Sequence, residues 1–163
     1  MGRRLNDKVK GAPNFTYKEF VQSNTATRKG IKNIPGDKEW ERIEALAKNV
    51  LQPVREKFGP IRINSGYRSP ELNVAIGGST TSNHCRGEAS DIEPWNEDKV
   101  TLFEMLEWMY NNLKFRTLIL EYPPGGWIHV DYRLGANDKI LKLKDKKHNY
   151  EKVDIDYLRK LYG

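Results

Sequence analysis

Between Asp37 and Phe58, the residues Trp40, Ile43, Leu46, Ala47, Val50, Leu51, Val54 and Phe58 recur mostly three and four positions apart. That spacing lays one apolar stripe along a helix of several turns, and such a stripe has to bury itself against another element. Pro53 lies inside the run. It has no backbone N–H and its ring crowds the preceding turn, so the helix is expected to kink or split there. Gly59-Pro60 ends it. A second stripe, Leu102, Phe103, Leu106, Met109, Tyr110 and Leu113, predicts another amphipathic helix over roughly 98–113.

The remaining apolar runs suggest what these helices pack on. Ile61–Asn64, Ala89–Glu93, Thr117–Glu121 and Trp127–Tyr132 read as strands. Tyr122-Pro123-Pro124-Gly125-Gly126 turns between the last two, which are therefore expected to pair antiparallel. Lys139–Leu143 alternates and reads as an edge strand whose lysines guard the edge. Thr16 and Glu19 fit a capping box for a short helix through Phe20 and Val21. Ser69-Pro70 starts a helix that Gly77-Gly78 stops, and Asp154–Tyr162 closes the chain as another. Thr25–Gly36 and residues 79–88 read as loops. Helices and strands mix without a regular βαβ rhythm. The expectation is an α+β fold, a small mostly antiparallel sheet with flanking helices. Residues 1–13 are basic and poor in apolar side chains, and are expected as a loose arm before a single domain over 14–163.

Composition narrows the function classes. The chain has 163 residues, and its lone Cys excludes an intramolecular disulfide framework and a Cys-rich zinc ribbon. No apolar run approaches the roughly 20 residues of a membrane helix. The N-terminal Met1-Gly2-Arg3-Arg4 has charge but no apolar segment behind it, so no secretory signal is expected and synthesis is expected in a cytoplasm. A net charge of +6 favours anionic partners such as a bacterial cell wall. Charges of both signs are interspersed along the chain, which argues against a dedicated nucleic-acid face. A monomer is expected.

The histidines carry the chemical signal. His84 sits in the polar loop, Asp91 follows seven residues later in a strand, and His129 lies in another strand. A hydrolytic zinc site uses about three protein ligands and one open position, and two imidazoles with one carboxylate would leave the metal net positive. Gly87 would let the chain turn sharply between the first two, and Ala89 is small beside a crowded ligand. Taken alone, a histidine in a strand is more often a core or surface residue than a ligand. His148, in the charged stretch Lys144–Lys152, reads as plain surface.

Three motifs in order add to this. Ser82-Asn83-His84-Cys85-Arg86-Gly87-Glu88-Ala89-Ser90-Asp91 resembles the S-x-H-x-x-G-x-A-x-D motif of the zinc D-Ala-D-Ala carboxypeptidase family. Trp127-Ile128-His129-Val130 resembles that family's second metal motif. Ser65-Gly66-Tyr67-Arg68-Ser69-Pro70-Glu71-Leu72-Asn73 resembles the S-G-Y-R-S-x-x-x-N segment that precedes them. Asn14–Phe58 is similar to the N-terminal part of the family's phage and bacterial branch.

The resemblance implies the α+β fold shared with the Hedgehog signalling domain, and zinc held by His84, Asp91 and His129. It also implies amide hydrolysis in bacterial peptidoglycan, by a carboxypeptidase or by a phage endolysin or virion-associated lysin acting on the wall. Many members place an acid three residues before the last His, where this chain has Gly126. The phage and bacterial branch instead ends the preceding strand with Glu, here Glu121, which is the expected catalytic base. Asp131 shares a strand face with His129 and is the rival base, or a partner that orients a ligand. The resemblance sets Arg68 beside the metal, where a guanidinium can bind an oxyanion or a substrate carboxylate. Ser82 is expected to position substrate or hold its loop, Asn73 to tie the following loop down, and Trp127 to wall the cleft or pack in the core. Cys85 is expected to be partly buried and not a ligand. A non-catalytic binding or structural protein of the same fold, with or without zinc, is the alternative.

Overall fold

Residues 2–163 are described by the structure, a computed structural model. Their N-terminal stretch is not the loose arm expected from its charge. Strands β1 (Lys8–Val9) and β2 (Ala12–Thr16) pair antiparallel, and their few apolar residues, Val9, Ala12 and Phe15, are all buried. Upstream, the Arg3 guanidinium donates to the Glu44 carboxylate at 2.8 Å. A handful of well-placed apolar side chains is enough to dock a polar segment, which composition averaged over 13 residues does not reveal.

Glu19 accepts from the Thr16 backbone N–H at 2.7 Å, as the capping box requires. The turn it starts, Tyr17–Phe20, is a tight 3₁₀ turn. The expected loop after it opens with helix α1 (Asn24–Lys29). The Ser23 hydroxyl accepts from the Ala26 N–H at 3.2 Å, and Gly30 ends the helix at φ 64°. Six residues are too few for a periodic signal, so only the caps could have marked it.

The long stripe is helical throughout. Helix α2 (Asp37–Leu46) runs through a π turn (Ala47–Leu51) into α3 (Gln52–Phe58). The π turn answers Pro53: the Gln52 N–H reaches back to the Ala47 carbonyl, and the widened turn makes room for the ring without breaking the rod. The stripe stays on one side, with Trp40, Ile43, Leu46, Ala47, Val50, Leu51 and Val54 buried.

The main sheet comprises β3 (Ile61–Ser65), β4 (Ala89–Pro94), β5 (Thr117–Glu121), β6 (Trp127–Asp131), β7 (Ile140–Lys144) and β8 (Tyr150–Lys152). Their order is β3-β4-β6-β5-β7-β8. Every pairing is antiparallel except β5 with β7, which is parallel. The α+β architecture with a mostly antiparallel sheet is therefore as expected. Strand β7, expected at an edge, lies inside the sheet. Asp145 turns the chain after it by accepting from the Lys147 and Asn149 N–H groups at 2.8 and 3.0 Å, and β8 takes the edge. All three residues of β8 are exposed, so no alternation announced it.

Helix α4 (Pro70–Ala75) follows β3, α5 (Leu102–Asn112) follows β4, and α6 (Ile155–Tyr162) ends the chain. Helix α5 starts four residues later than its expected boundary because Thr101 and Glu104 form a capping box there, at 3.1 and 3.2 Å. One face of the sheet carries Ile92, Leu118, Leu120, Ile128, Val130, Leu141 and Leu143. These bury with Leu102, Met105, Leu106 and Met109 of α5. The other face is left for chemistry. Among the described residues no helix is long and apolar enough to cross a membrane.

The N-terminal hairpin makes a direct test. Deleting residues 1–11 uncovers the core and removes buried Val9, whose burial alone is worth about 1.5–3 kcal/mol. Urea unfolding should show a clear drop in midpoint, whereas a loose arm would leave the midpoint unchanged.

Candidate metal centre and cleft

Strand register builds the site. Asp91 stands opposite His129, His129 opposite Ile119, and Ile119 opposite Lys142. One row further along, Trp127 faces Glu121 and Glu121 faces Lys144. Side chains opposite one another share a face, and these line a cleft of about 580 Å³ on the side of the sheet away from the helical core. Arg68, Ser82, His84 and Asp131 line it too.

His84 comes from the loop before β4. Its 3₁₀ turn (Asn83–Arg86) begins where the Ser82 hydroxyl accepts from the His84 N–H at 3.2 Å. It ends at Gly87, at φ 76°, where a Cβ would stand 2.5 Å from the Glu39 carbonyl oxygen. Glycine is therefore required there both by dihedral and by space. Buried Glu88 then clamps the loop, accepting from Arg86 at 2.6 Å and from Arg133 at 2.7 and 3.1 Å. Burial would raise the Glu88 pKa, but its two arginines outweigh that and hold it below the usual range. Cys85 is half-buried and outside the metal-binding group, as expected.

His84, Asp91 and His129 converge so that one ligand atom from each lies within 4.8 Å of the others. Asp91 Oδ2 is 3.4 Å from His84 Nε2, and Asp91 Oδ1 is 3.0 Å from His129 Nδ1. The far nitrogen of each ring is occupied. His84 Nδ1 donates to the Gly66 carbonyl at 2.8 Å, and His129 Nε2 meets Asp131 Oδ1 at 2.8 Å. Each imidazole is thereby fixed in orientation, with its other nitrogen toward Asp91, the arrangement that metal-binding histidines use. A nitrogen, nitrogen, oxygen donor set suits zinc. In the absence of a metal, burial would lower the His129 pKa, but Asp131 and Asp91 outweigh it and push it up to about 10. Burial likewise works against ionised Asp91, yet His84 and His129 hold it well below the carboxylate range. Asp91 is thus kept ionised between the two imidazoles.

Glu121 ends β5 at 6% exposure. Burial first, and then the charge of Asp91, raise its pKa above the ordinary glutamate value. Gly126, where an acid might have stood, has no room for a side chain: a Cβ would lie 1.8 Å from the Glu121 carbonyl oxygen. Arg68 lies 3.9 Å from Asp91 Oδ2 and donates to Asn73 Oδ1 at 3.1 Å. Asn73 in turn donates to the Ser79 carbonyl at 2.6 Å and ties the following loop, as expected. Arg68 Nε and Trp127 Nε1 are buried with no partner, and both residues line the cleft.

Some residues that shape the site were not foreseen. Buried Asn33 donates to the Val21 and Tyr67 carbonyls at 2.8 and 2.9 Å and accepts from the Ser69 N–H at 2.7 Å, bracketing Arg68. It lay in a stretch read as a loop. Lys142, Lys144 and Tyr150 also line the cleft. The alternation of Lys142 with the core-facing Leu141 and Leu143 is visible in the sequence as an edge-strand pattern, whereas Lys144 and Tyr150 lie beyond that pattern. His148 is exposed, as expected, and its Nδ1 lies 2.7 Å from the Tyr122 hydroxyl.

A family model described as Peptidase M15 matches residues 13–131, well over half of the chain. The chain belongs to the M15 peptidase family. A search of curated proteins gives no match. The match spans every residue of the metal-binding group together with Arg68, Glu121 and Asp131, and stops before β7. M15 peptidases are zinc-dependent, and the His84, Asp91 and His129 group of this member fits that metal.

Zinc added to the metal-free protein should raise its melting temperature. At 100-fold over the dissociation constant the stabilisation is about 2.7 kcal/mol. His84→Ala and Asp91→Asn should abolish the shift. Asp131→Asn, which loses the grip on His129 Nε2, should weaken zinc binding about 10–100-fold. Titration followed by calorimetry separates these outcomes.

Proposed function

We propose that this M15 peptidase hydrolyses amide bonds in the stem peptides of bacterial peptidoglycan, as a phage endolysin or virion-associated lysin. The observation that carries the catalytic reading is a buried carboxylate, Glu121, in the same cleft as the His84, Asp91 and His129 group. Strand register sets it one row along the same sheet face from His129. The three sequence motifs and their likeness to wall-cleaving relatives support the substrate. So does a net charge of +6, which favours an anionic wall.

Zinc, when bound, supplies Lewis acidity that polarises a peptide carbonyl and acidifies water. The chain supplies the rest. Glu121 takes the proton of the attacking water on its carboxylate and passes it to the departing amine. A pKa raised by burial suits both steps, because the acid must hold the proton between them. Arg68, with an unpaired Nε in a buried setting, offers charge to the oxyanion as the carbonyl carbon becomes tetrahedral. Asp131 is assigned to orientation rather than proton transfer, since its carboxylate is already engaged by His129 Nε2. Ser82 holds the His84 turn and Trp127 walls the cleft.

Release of new amino groups from purified peptidoglycan tests this reading. Release should be abolished by a chelator and restored by zinc. Glu121→Gln should lower the rate at least about 100-fold while keeping zinc affinity, and Asp131→Asn should act mainly through lost zinc. Mass spectra of the products name the bond. A protein that binds zinc yet releases nothing from several wall types would instead be a binding protein of this fold.

A further inference from the structure

The match to the family ends at residue 131, but the cleft does not. Its far wall is the β7–β8 hairpin, attached alongside β5. Lys142 and Lys144 alternate onto the cleft face of β7 and line it, and Tyr150 joins them from β8. Lys152 stands directly opposite Lys142 in the antiparallel pair and so shares its face. Like charges set directly opposite one another across strands are unfavourable. Among the described residues none of the three lysines is within ion-pair distance of a carboxylate. Glu151, the acid between them, faces the other way, opposite core residue Leu143.

The positions of these lysines set a distance. The register runs His129, Ile119, Lys142 across three neighbouring strands. Two strand spacings place the Lys142 backbone about 10 Å from that of His129. A lysine side chain covers about half of that gap, and an extended peptide advances about 3.3–3.6 Å per residue. An anionic group met by Lys142 therefore lies one or two residues from the bond being cut. Lys144 is occupied differently. Its Nζ stands over the Tyr122 and Tyr150 rings at 5.1 and 4.7 Å, next to Glu121, which leaves Lys142 and Lys152 as the free pair.

We propose that Lys142 and Lys152 form a subsite that binds a carboxylate of the peptide one or two residues from the scissile amide, and so determine specificity. This rests on the peptidase reading and adds a specificity element that the family-matched segment does not contain. The carboxylate is either the peptide's own C-terminus or an acidic side chain.

The test takes synthetic peptidoglycan stem peptides that still contain the amide to be cleaved and compares them in matched forms. In one arm the C-terminal carboxylate is amidated. In the other the side-chain carboxylate is replaced by a carboxamide. Amidation in one arm should lower kcat/KM about tenfold or more, the factor that roughly 1.4 kcal/mol provides, and that arm identifies the source. The double variant Lys142→Gln, Lys152→Gln should bring cleavage of the acid down to that of the amide. Lys142→Arg should retain the preference. The double variant should also melt no lower than the wild type, since it removes a repulsion. Equal cleavage of acid and amide forms by the wild type overturns the subsite and leaves the peptidase reading intact. If no peptide is cleaved, the peptidase reading fails. The subsite is then judged by calorimetric binding of the same peptides: tighter binding of the acid, lost in the double variant, supports it, and equal binding overturns it.

Discussion

The antiparallel register between β4 and β6 is the constraint on which the rest depends. It sets Asp91 across from His129 and, in the same stroke, Ile92 across from Ile128. The first pair belongs to the cleft and the second to the core. Because side chains alternate along a strand, a slip of one residue would turn the charged pair into the apolar core and the apolar pair into the cleft. The cost of burying unpaired carboxylate and imidazole is far larger than any local gain. The hydrophobic core thus enforces the geometry of the metal centre without touching it. Ile128 and Val130 are fully buried on either side of His129 and leave its strand no freedom to shift.

Much of this was legible in the sequence, for identifiable reasons. Thr117–Glu121 is a short apolar run, Trp127–Asp131 alternates, and a five-residue turn lies between them. Their pairing needs no long-range information. The metal-binding group was legible through its motifs, not through any one residue. What escaped notice shares a different trait. Helix α1, strand β8 and the N-terminal hairpin are short, polar elements, held by caps, turns and one or two buried side chains. Periodicity needs length to rise above noise, so such elements lie below what a stripe or an alternation can signal. Asn33 escaped for a related reason. Its amide satisfies two carbonyls and one N–H from segments far away in sequence, and that role is invisible until the chain is folded.

The absence of an acid at position 126 looked in sequence like a missing piece. In the fold it is a steric consequence of where the acid is. The turn from β5 to β6 brings Gly126 against the Glu121 backbone, with no room for a Cβ between them. A side chain there would push the end of β5 away and move the Glu121 carboxylate with it. Glycine at 126 and glutamate at 121 are therefore one structural solution: the tight turn that excludes an acid at the first position holds one in place at the second.

The same economy separates what the family fold shares from what this chain adds. The matched segment supplies the metal-binding group, its orienting partners and the buried carboxylate; strands with a core face fix Asp91, His129, Asp131 and Glu121, and the turn before β4 presents His84. The β7–β8 hairpin lies beyond that match and adds only a wall. It can do so because β5 offers β7 a free edge on one side while its other edge is already paired with β6. A strand added there must continue the face pattern of β5, so Leu141 and Leu143 extend the core and Lys142 and Lys144 extend the cleft. Sheet geometry thereby converts an extension at the C-terminal end into a change of charge beside Glu121, leaving the metal-binding group unaltered. The metal-binding group stays with the inner strands, and the strands outside them change what lines the cleft around it.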